Sequence, residues 1–280
     1  MVNLNGTLLP LAKAASPLNN RGLNYGDALF ETLRISGGKI FFWEDHYFRL
    51  MASMRILRME IPMNFTMEFL EKQALRTIHA LNDDNSTYRV KLLVWRKPGG
   101  KYAPLQHEIE YAITAENLPD PFYIVNQSKY EVELFKDHYI CPGLLSTLKT
   151  NNRIINILGS IFAEENGFQN CLLLNGNKQV VEALNGNLFL VSGNAIKTPP
   201  LSDGCLNGIL RKQMLSILGE MTDFSFEEAS ISPFELQKAD ELFITNSVQG
   251  IVSVTKYRKK EFGNEVAKIL LAKLNEKAAG

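Results

Sequence analysis

Lys149 stands in the run Ser146-Thr147-Leu148-Lys149-Thr150-Asn151-Asn152, flanked by short polar residues. A lysine at a strand-to-helix corner of this kind can project its amine into a cleft, whereas along a helix face it would only be solvated. A carboxylate, Glu182, follows the Cys171–Leu174 and Gln179–Val181 segments, which flank Asn175-Gly176, a signal for a type I′ hairpin. Asn207-Gly208 launches an apolar helix, and the first turn of a helix offers backbone N–H groups and a positive dipole end to an anion such as phosphate. Arg49 carries a planar guanidinium that suits a phosphate dianion, and would serve equally in a surface salt bridge. Taken by type alone, these residues leave both the chemical and the plainer uses open.

The elements that must position them read as α/β with mixed sheets in two lobes. Phe41 and Phe42 end a strand, and Asp45–Leu57 is a helix with Leu50, Met54 and Leu57 at i, i+4, i+7. Thr66 caps a second helix whose inner stripe is Leu70, Ala74, Ile78 and Leu81. Arg89–Trp95 and Glu108–Thr114 are strands joined by turn material at Pro98-Gly99-Gly100. Glu116–Pro121 carries two prolines in a polar setting. The reading is a small N-terminal domain over residues 1–115, a linker over 116–122 and a larger C-terminal domain over 123–280 that carries Lys149. In that domain a helix after Thr150-Asn151-Asn152 places Ile154, Ile155, Leu158 and Phe162 on one side. Leu188–Val191 is a strand, and a helix runs through Ile209, Leu210, Met214 and Ile217. Ser232-Pro233-Phe234-Glu235 is a capping box, and Glu241–Thr245 is a buried-type strand.

Composition bounds the rest. The chain has 280 residues, long enough for one large or two modest cores, with 45% apolar residues, 21% charged and 10% aromatic, an ordinary globular profile. Lys+Arg and Asp+Glu number 30 each, so no broad field draws the chain to nucleic acid or to an anionic membrane. No apolar run approaches the roughly 18–20 residues of a spanning helix, and Leu8-Leu9-Pro10-Leu11 is too short for a signal core. Cys141, Cys171 and Cys205 are scattered with no CxxC, as expected in the cytoplasm, and the four lone histidines offer no metal cluster. GxSxG, GxxxxGK[ST] and GxGxxG are all missing, which counts against hydrolase, P-loop and Rossmann chemistry.

Six segments in order resemble the class IV aminotransferase family of pyridoxal-phosphate enzymes, which includes branched-chain and D-amino-acid transaminases and aminodeoxychorismate lyase. They are Asn20–Arg34, His46-Tyr47-Phe48-Arg49-Leu50, Lys149–Arg153, Val181–Phe189, Leu206–Arg211 and Glu241–Ser247. The resemblance implies the two-lobed fold-type IV architecture, a pyridoxal 5′-phosphate cofactor and a homodimer with its active site near the subunit boundary. It implies that Lys149 forms the Schiff base with the cofactor aldehyde and then moves a proton at the amine-bearing carbon, for which its amine must be partly neutral. Glu182 would pair with the pyridine nitrogen, with Asn187 at the family spacing after it. Arg49, Gly208, Ile209, Asn246 and Ser247 would hold the phosphate, and Leu206 would pack on the cofactor ring. Tyr25, Phe30 and Arg34 match a block that lines the substrate pocket, and Arg96 lies where some members carry a carboxylate-binding arginine.

Within the family, Lys149-Thr150-Asn151-Asn152-Arg153, Arg96 ahead of Gly99-Gly100, and Thr245-Asn246-Ser247 look more like the lyase than the branched-chain transaminases. Phe30 stands where the D-amino-acid enzymes place a tyrosine. The leading expectation is a lyase turning 4-amino-4-deoxychorismate into p-aminobenzoate and pyruvate, with Arg34 and Arg96 gripping substrate carboxylates. The rival is an amino-acid transaminase.

Overall fold

The computed structural model describes residues 1–14, 17–82 and 86–280. Contacts divide the chain into two units, Met1–Phe122 with Lys149–Asn152, and Tyr123–Leu148 with Arg153–Gly280. The first unit runs β1 (Val2–Leu4), β2 (Thr7–Leu9), α1 (Arg21–Tyr25), β3 (Ala28–Ser36), β4 (Lys39–Ile40), α2 (Trp43–Ile56), α3 (Met67–His79), β5 (Thr87–Arg96) and β6 (Ile109–Asn117). Its strands form one antiparallel sheet in the order β2-β1-β6-β5-β3-β4. The pleat sorts the side chains of β5 with period two. Tyr88, Val90, Leu92 and Val94 enter the core, where Leu50, Met51 and Met54 of α2 and Leu70, Ala74 and Ile78 of α3 meet them. Arg89, Lys91 and Leu93 stand on the opposite face, half-buried. Thr66 caps α3 as its sequence position predicts, its side chain accepting from the Phe69 N–H.

The second unit runs β7 (Glu131–Ile140), α4 (Ile154–Glu165), β8 (Asn170–Asn175), β9 (Val180–Ala183), β10 (Asn187–Ser192), β11 (Ala195–Thr198), α5 (Ile209–Glu220), β12 (Ser225–Glu228), α6 (Pro233–Leu236), β13 (Glu241–Asn246), β14 (Gly250–Val254), β15 (Lys256–Tyr257), β16 (Lys260–Glu261) and α7 (Glu265–Ala279). Two mixed sheets result, β12-β11-β10-β13-β14 and β16-β15-β7-β8-β9. They share a core to which Val132, Leu134, Leu172 and Leu174 contribute from one sheet and Leu188, Leu190, Leu242, Ile244 and Val254 from the other. The Ser232 capping box forms in full.

Five sequence expectations are corrected by the contacts. The strand before α2 ends at Ile40, and Phe42 sits at φ 53° as the residue that turns the chain into the helix. Glu116 and Asn117 still pair with Arg89 and Tyr88, so the linker is shorter than 116–122. Asn175 begins a three-residue loop in which Lys178, not a glycine, takes the left-handed conformation at φ 61°. The Asn175 side chain drives this by accepting from the N–H groups of Asn177 and Gln179. On α4 the inward side is Ile155, Gly159, Phe162 and Ala163, while Ile154 and Leu158 are exposed. Residues 149–152 group with the first unit instead of the C-terminal domain, because backbone hydrogen bonds lace them onto β3.

Candidate active site

Lys149 follows a single turn of 3-10 helix at Leu144–Thr147, not a strand as its sequence setting suggests. From there Lys149–Asn151 run beside β3. The Phe30 N–H donates to the Lys149 carbonyl at 3.0 Å and the Asn151 N–H to the Ala28 carbonyl at 3.0 Å, with Thr150 bridging Leu29 in antiparallel fashion. The Asn152 side-chain amide reaches back to the Gly26 carbonyl, 3.3 Å away. Gly26 ends α1 at φ +63°, and a Cβ there would lie 2.3 Å from Asn152 Oδ1, so this close approach requires glycine. The backbone thus fixes Lys149 on β3, and its Nζ sits 4.4 Å from the centre of the Phe30 ring.

Arg49 lies in the same unit. His46 and Arg49 are three residues apart on α2 and therefore share a face. Both meet Glu31 of β3: Arg49 Nε donates to Oε1 at 2.8 Å and Nη2 to Oε2 at 2.5 Å, and His46 Nδ1 lies 2.7 Å from Oε2. Glu31 is 1% exposed and His46 fully buried. Burial alone pushes the Glu31 carboxyl up. The Arg49 charge and the bonds from His46 and Arg49 outweigh it and hold the group at about 2. Burial also pushes His46 down; its bond to Glu31 opposes this, and the charges of Arg49 and Lys149 reinforce it. The ring is neutral at neutral pH, and its Nδ1–H donates a hydrogen bond to the carboxylate. Bonds to Glu31 use two of the guanidinium's N–H donors and set the plane of its fork.

A pH dependence follows. Folded Glu31 and folded His46 each bind fewer protons than in the unfolded chain, so both make stability fall on acidification. The His46 contribution declines as pH drops below its ordinary 6.5, and that of Glu31 declines from about 4.5 towards about 2. The melting temperature is expected to fall between about pH 7 and pH 5, and His46→Gln, which keeps a donor but does not titrate, is expected to flatten that slope. An equal slope in the variant assigns the effect elsewhere.

In the second unit Glu182 lies on β9, opposite Leu173 of β8, and is 5% exposed. Its Oε2 accepts the Leu206 N–H at 2.9 Å, and Asn187 Nδ2 donates to the Leu206 carbonyl at 2.9 Å. The two polar groups of Leu206 are therefore clamped, which fixes the approach to α5. Gly208, the residue before that helix, would place a Cβ 1.9 Å from Asn187 Oδ1, so any side chain there would displace the Asn187 amide that holds Leu206. No side chain caps the helix start at Gly208–Ile209, which leaves first-turn donors for an anion. Beside the loop, burial and then the Glu182 charge push the Cys205 thiol up to about 12, which makes it inert as a nucleophile. At the end of β13 the Asn246 side chain accepts from the Val248 and Gln249 N–H groups and donates to Gln249. The Asn246 side chain thus closes its own loop. Tyr123 donates to the Ser247 carbonyl at 3.0 Å, and the Ser247 hydroxyl stays outside these bonds. Thr245 stands opposite Asn187 in the sheet, and its hydroxyl is buried with no hydrogen-bond partner.

Two expected substrate grips have other work. Every N–H of the Arg96 guanidinium is engaged, by Asp27, the Leu57 and Arg58 carbonyls and His107. Arg34 ties down the Asp120 and Phe122 carbonyls. Both are about 5% exposed and brace the first unit. Tyr25 is 40% exposed and packs against Tyr102 and Arg21. Glu31 and His46, which orient Arg49, belong to no motif that singles them out in the sequence. For Glu31 the signal was its phase: it falls in step with Leu29, Leu33 and Ile35, so the strand pattern puts a carboxylate into the core.

The residues fit a pyridine-ring phosphate. A buried carboxylate on a clamped loop suits a protonated ring nitrogen, and the uncapped α5 start, with a buried orphan hydroxyl on the neighbouring strand, suits a phosphate. Among the described residues no group of His, Cys, Asp and Glu could hold a metal ion, and no helix is long and apolar enough to cross a membrane.

Residues 28–257 match the model for amino-transferase class IV. A D-alanine aminotransferase of Bacillus licheniformis is 26% identical, with 94% of this chain and 90% of that protein covered. An aminodeoxychorismate lyase of Vibrio harveyi is 27% identical, covering 85% and 86%. The crystal structure of a branched-chain aminotransferase from Thermoproteus uzoniensis with norvaline superposes with a TM-score of 0.86 at 24% identity, covering 98% and 92%. The chain belongs to the class IV aminotransferase family and has its fold-type IV architecture. It is a pyridoxal-phosphate-dependent enzyme, an aminotransferase or a lyase.

Proposed function

We propose that this chain is a lyase acting on 4-amino-4-deoxychorismate, releasing p-aminobenzoate and pyruvate in folate synthesis. The observation that carries the reading is the Lys149–Arg153 segment. Its lyase-like sequence is held along β3 by Thr150 and Asn151, anchored by Asn152 on Gly26 and followed by Arg153, whose guanidinium donates to the Leu148 carbonyl at 2.8 Å.

Each residue then has a task. Lys149 would hold the cofactor through Nζ, and the same amine would take the proton from the amine-bearing ring carbon of the substrate. Bound pyridoxal phosphate supplies an electron-accepting ring next to that carbon. Glu182 would hold the proton on the ring nitrogen, and Leu206 would pack on the ring from its clamped loop. Arg49, in the orientation Glu31 gives it, holds the phosphate together with the Gly208-Ile209 backbone and the Ser247 hydroxyl. Phe30 lies against Lys149, with Nζ 4.4 Å from the ring centre, and covers one side of the amine. The overall change is an elimination with no net oxidation, and aromatisation drives it. The enzyme works as a homodimer in the cytoplasm, with small-molecule substrates and no nucleic-acid or membrane partner.

A second reading, amino-acid transamination, is supported by the likeness to a D-alanine aminotransferase over 94% of this chain. One assay pair separates the two. Pyruvate and p-aminobenzoate are followed with aminodeoxychorismate, and formation of the amine-form cofactor is followed with branched-chain and D-amino acids before addition of 2-oxoglutarate. Turnover in the first assay supports the lyase; turnover in the second alone replaces it with a transaminase.

A further inference from the structure

We propose that Asn170, together with Asn156, is a positioning residue for Glu182: the two amides fix the turn that follows Glu182 and so set where its carboxylate meets the cofactor's ring nitrogen. The proposal rests on the reading of Glu182 as the partner of that nitrogen.

Glu182 and Asn187 clamp Leu206, one by accepting its N–H and the other by donating to its carbonyl, both at 2.9 Å. Only residues 183–186 separate them. The Ala183 N–H closes this stretch into a turn by donating to the Gly186 carbonyl at 2.8 Å. The shape of the turn therefore sets the spacing of the two clamps.

The β8–β9 ladder reaches only as far as Ala183, opposite Leu172. Beyond it, side chains hold the turn. The Leu184 N–H is shared between the Cys171 carbonyl and Asn170 Oδ1, each at 3.1 Å. Asn170 is 2% exposed, and its amide makes four hydrogen bonds, its full ordinary capacity. Besides Leu184, its Oδ1 accepts from the Cys171 N–H at 2.8 Å, while its Nδ2 donates to Asn185 Oδ1 at 2.8 Å and to the Tyr130 hydroxyl at 2.9 Å. Two of the four bonds thus go to the turn. Asn156 of α4 adds a third, its Nδ2 donating to the Leu184 carbonyl at 2.7 Å. Gly186 lies flat on β13, where a Cβ would stand 2.5 Å from the Thr245 carbonyl oxygen and 2.6 Å from Ile244 Cγ2.

A carboxylate that serves a ring nitrogen has to be held within about 0.5 Å of its place. Strand β9 alone leaves more freedom than that, being four residues long with a register shift opposite Leu173 and Leu174. The asparagines remove the freedom at the end of the strand where Glu182 stands. Loss of either leaves half-buried or buried partners without their bond, so the turn rearranges.

The test equilibrates the holoenzyme with a mixture of pyridoxal phosphate and deazapyridoxal phosphate, in which C–H replaces the ring nitrogen. Chromatography of the released cofactors gives the bound ratio, which reports what the ring nitrogen contributes to binding. Glu182→Ala sets the scale and is expected to remove most of the parent's preference for pyridoxal phosphate. Asn156→Ala and Asn170→Ala are each expected to lower that preference about fivefold or more. A general loss of packing would weaken both forms equally and leave the ratio unmoved. A parent-like ratio in either folded asparagine variant overturns the proposal. Asn156, only half-buried, decides alone should Asn170→Ala not fold. A parent-like ratio in Glu182→Ala refutes instead the Glu182 reading on which the proposal rests.

Discussion

Lys149→Ala is expected to lower kcat by at least about 10³-fold, on the order of 4 kcal/mol of barrier, while the folded protein keeps its affinity for pyridoxal phosphate within about an order of magnitude. The asymmetry follows from how the work is divided. The phosphate and the ring nitrogen are assigned to Arg49, the Gly208-Ile209 backbone, Ser247 and Glu182, none of which touches the deleted amine. The proton at the reacting carbon is assigned to Lys149 Nζ alone. Lys149→Arg is expected to be equally inactive, because a guanidinium keeps its charge at any working pH and cannot add to an aldehyde. Added small amines are expected to restore part of the activity of Lys149→Ala but not of Lys149→Arg, where the arginine fills the space. Steady-state kinetics with and without methylamine check this. A Lys149→Ala variant within tenfold of the parent removes Lys149 from the chemistry.

Glu31→Gln is expected to cost about 3 kcal/mol of stability, the largest loss from any single polar substitution in the first unit. Glu31 is 1% exposed and accepts from both His46 and Arg49, so the neutral amide leaves the guanidinium charge, itself largely buried, without its counter-ion. The cost comes from the charge left behind more than from the bond lost. Adding Arg49→Met to Glu31→Gln is therefore expected to recover much of the stability, since removing both partners of a buried pair is often close to neutral. Chemical denaturation of the parent, both single variants and the double variant gives the coupling directly. Additive losses would show that Glu31 and Arg49 do not act as a pair.

How much was legible in the sequence depended on how local each cause was. Thr66, the Ser232-Pro233-Phe234-Glu235 box and the strand at Glu241–Thr245 act through residues a few positions away, and they form as their patterns require. Helix α4 was not legible in this way. With Ile154, Ile155, Ile157, Leu158, Ile161 and Phe162 around it, several faces satisfy the periodicity, and the core selects the one on which Gly159 lets Leu184 approach. The Asn175-Gly176 step misled because the asparagine side chain captured two later N–H groups, which no dipeptide rule includes. Within the site, Lys149, Glu182 and Gly208 were marked by short sequence settings. The partners of Arg34 and Arg96 were not legible, because they are carbonyls from distant segments, at residues 57, 58, 120 and 122.

Borohydride reduction of the cofactor-loaded enzyme, followed by proteolysis and mass spectrometry, tests the central claim most directly. The account requires a single pyridoxyl label on the Lys149 peptide and none in Lys149→Ala. A label on another lysine of the parent, or an unchanged label in the variant, contradicts it.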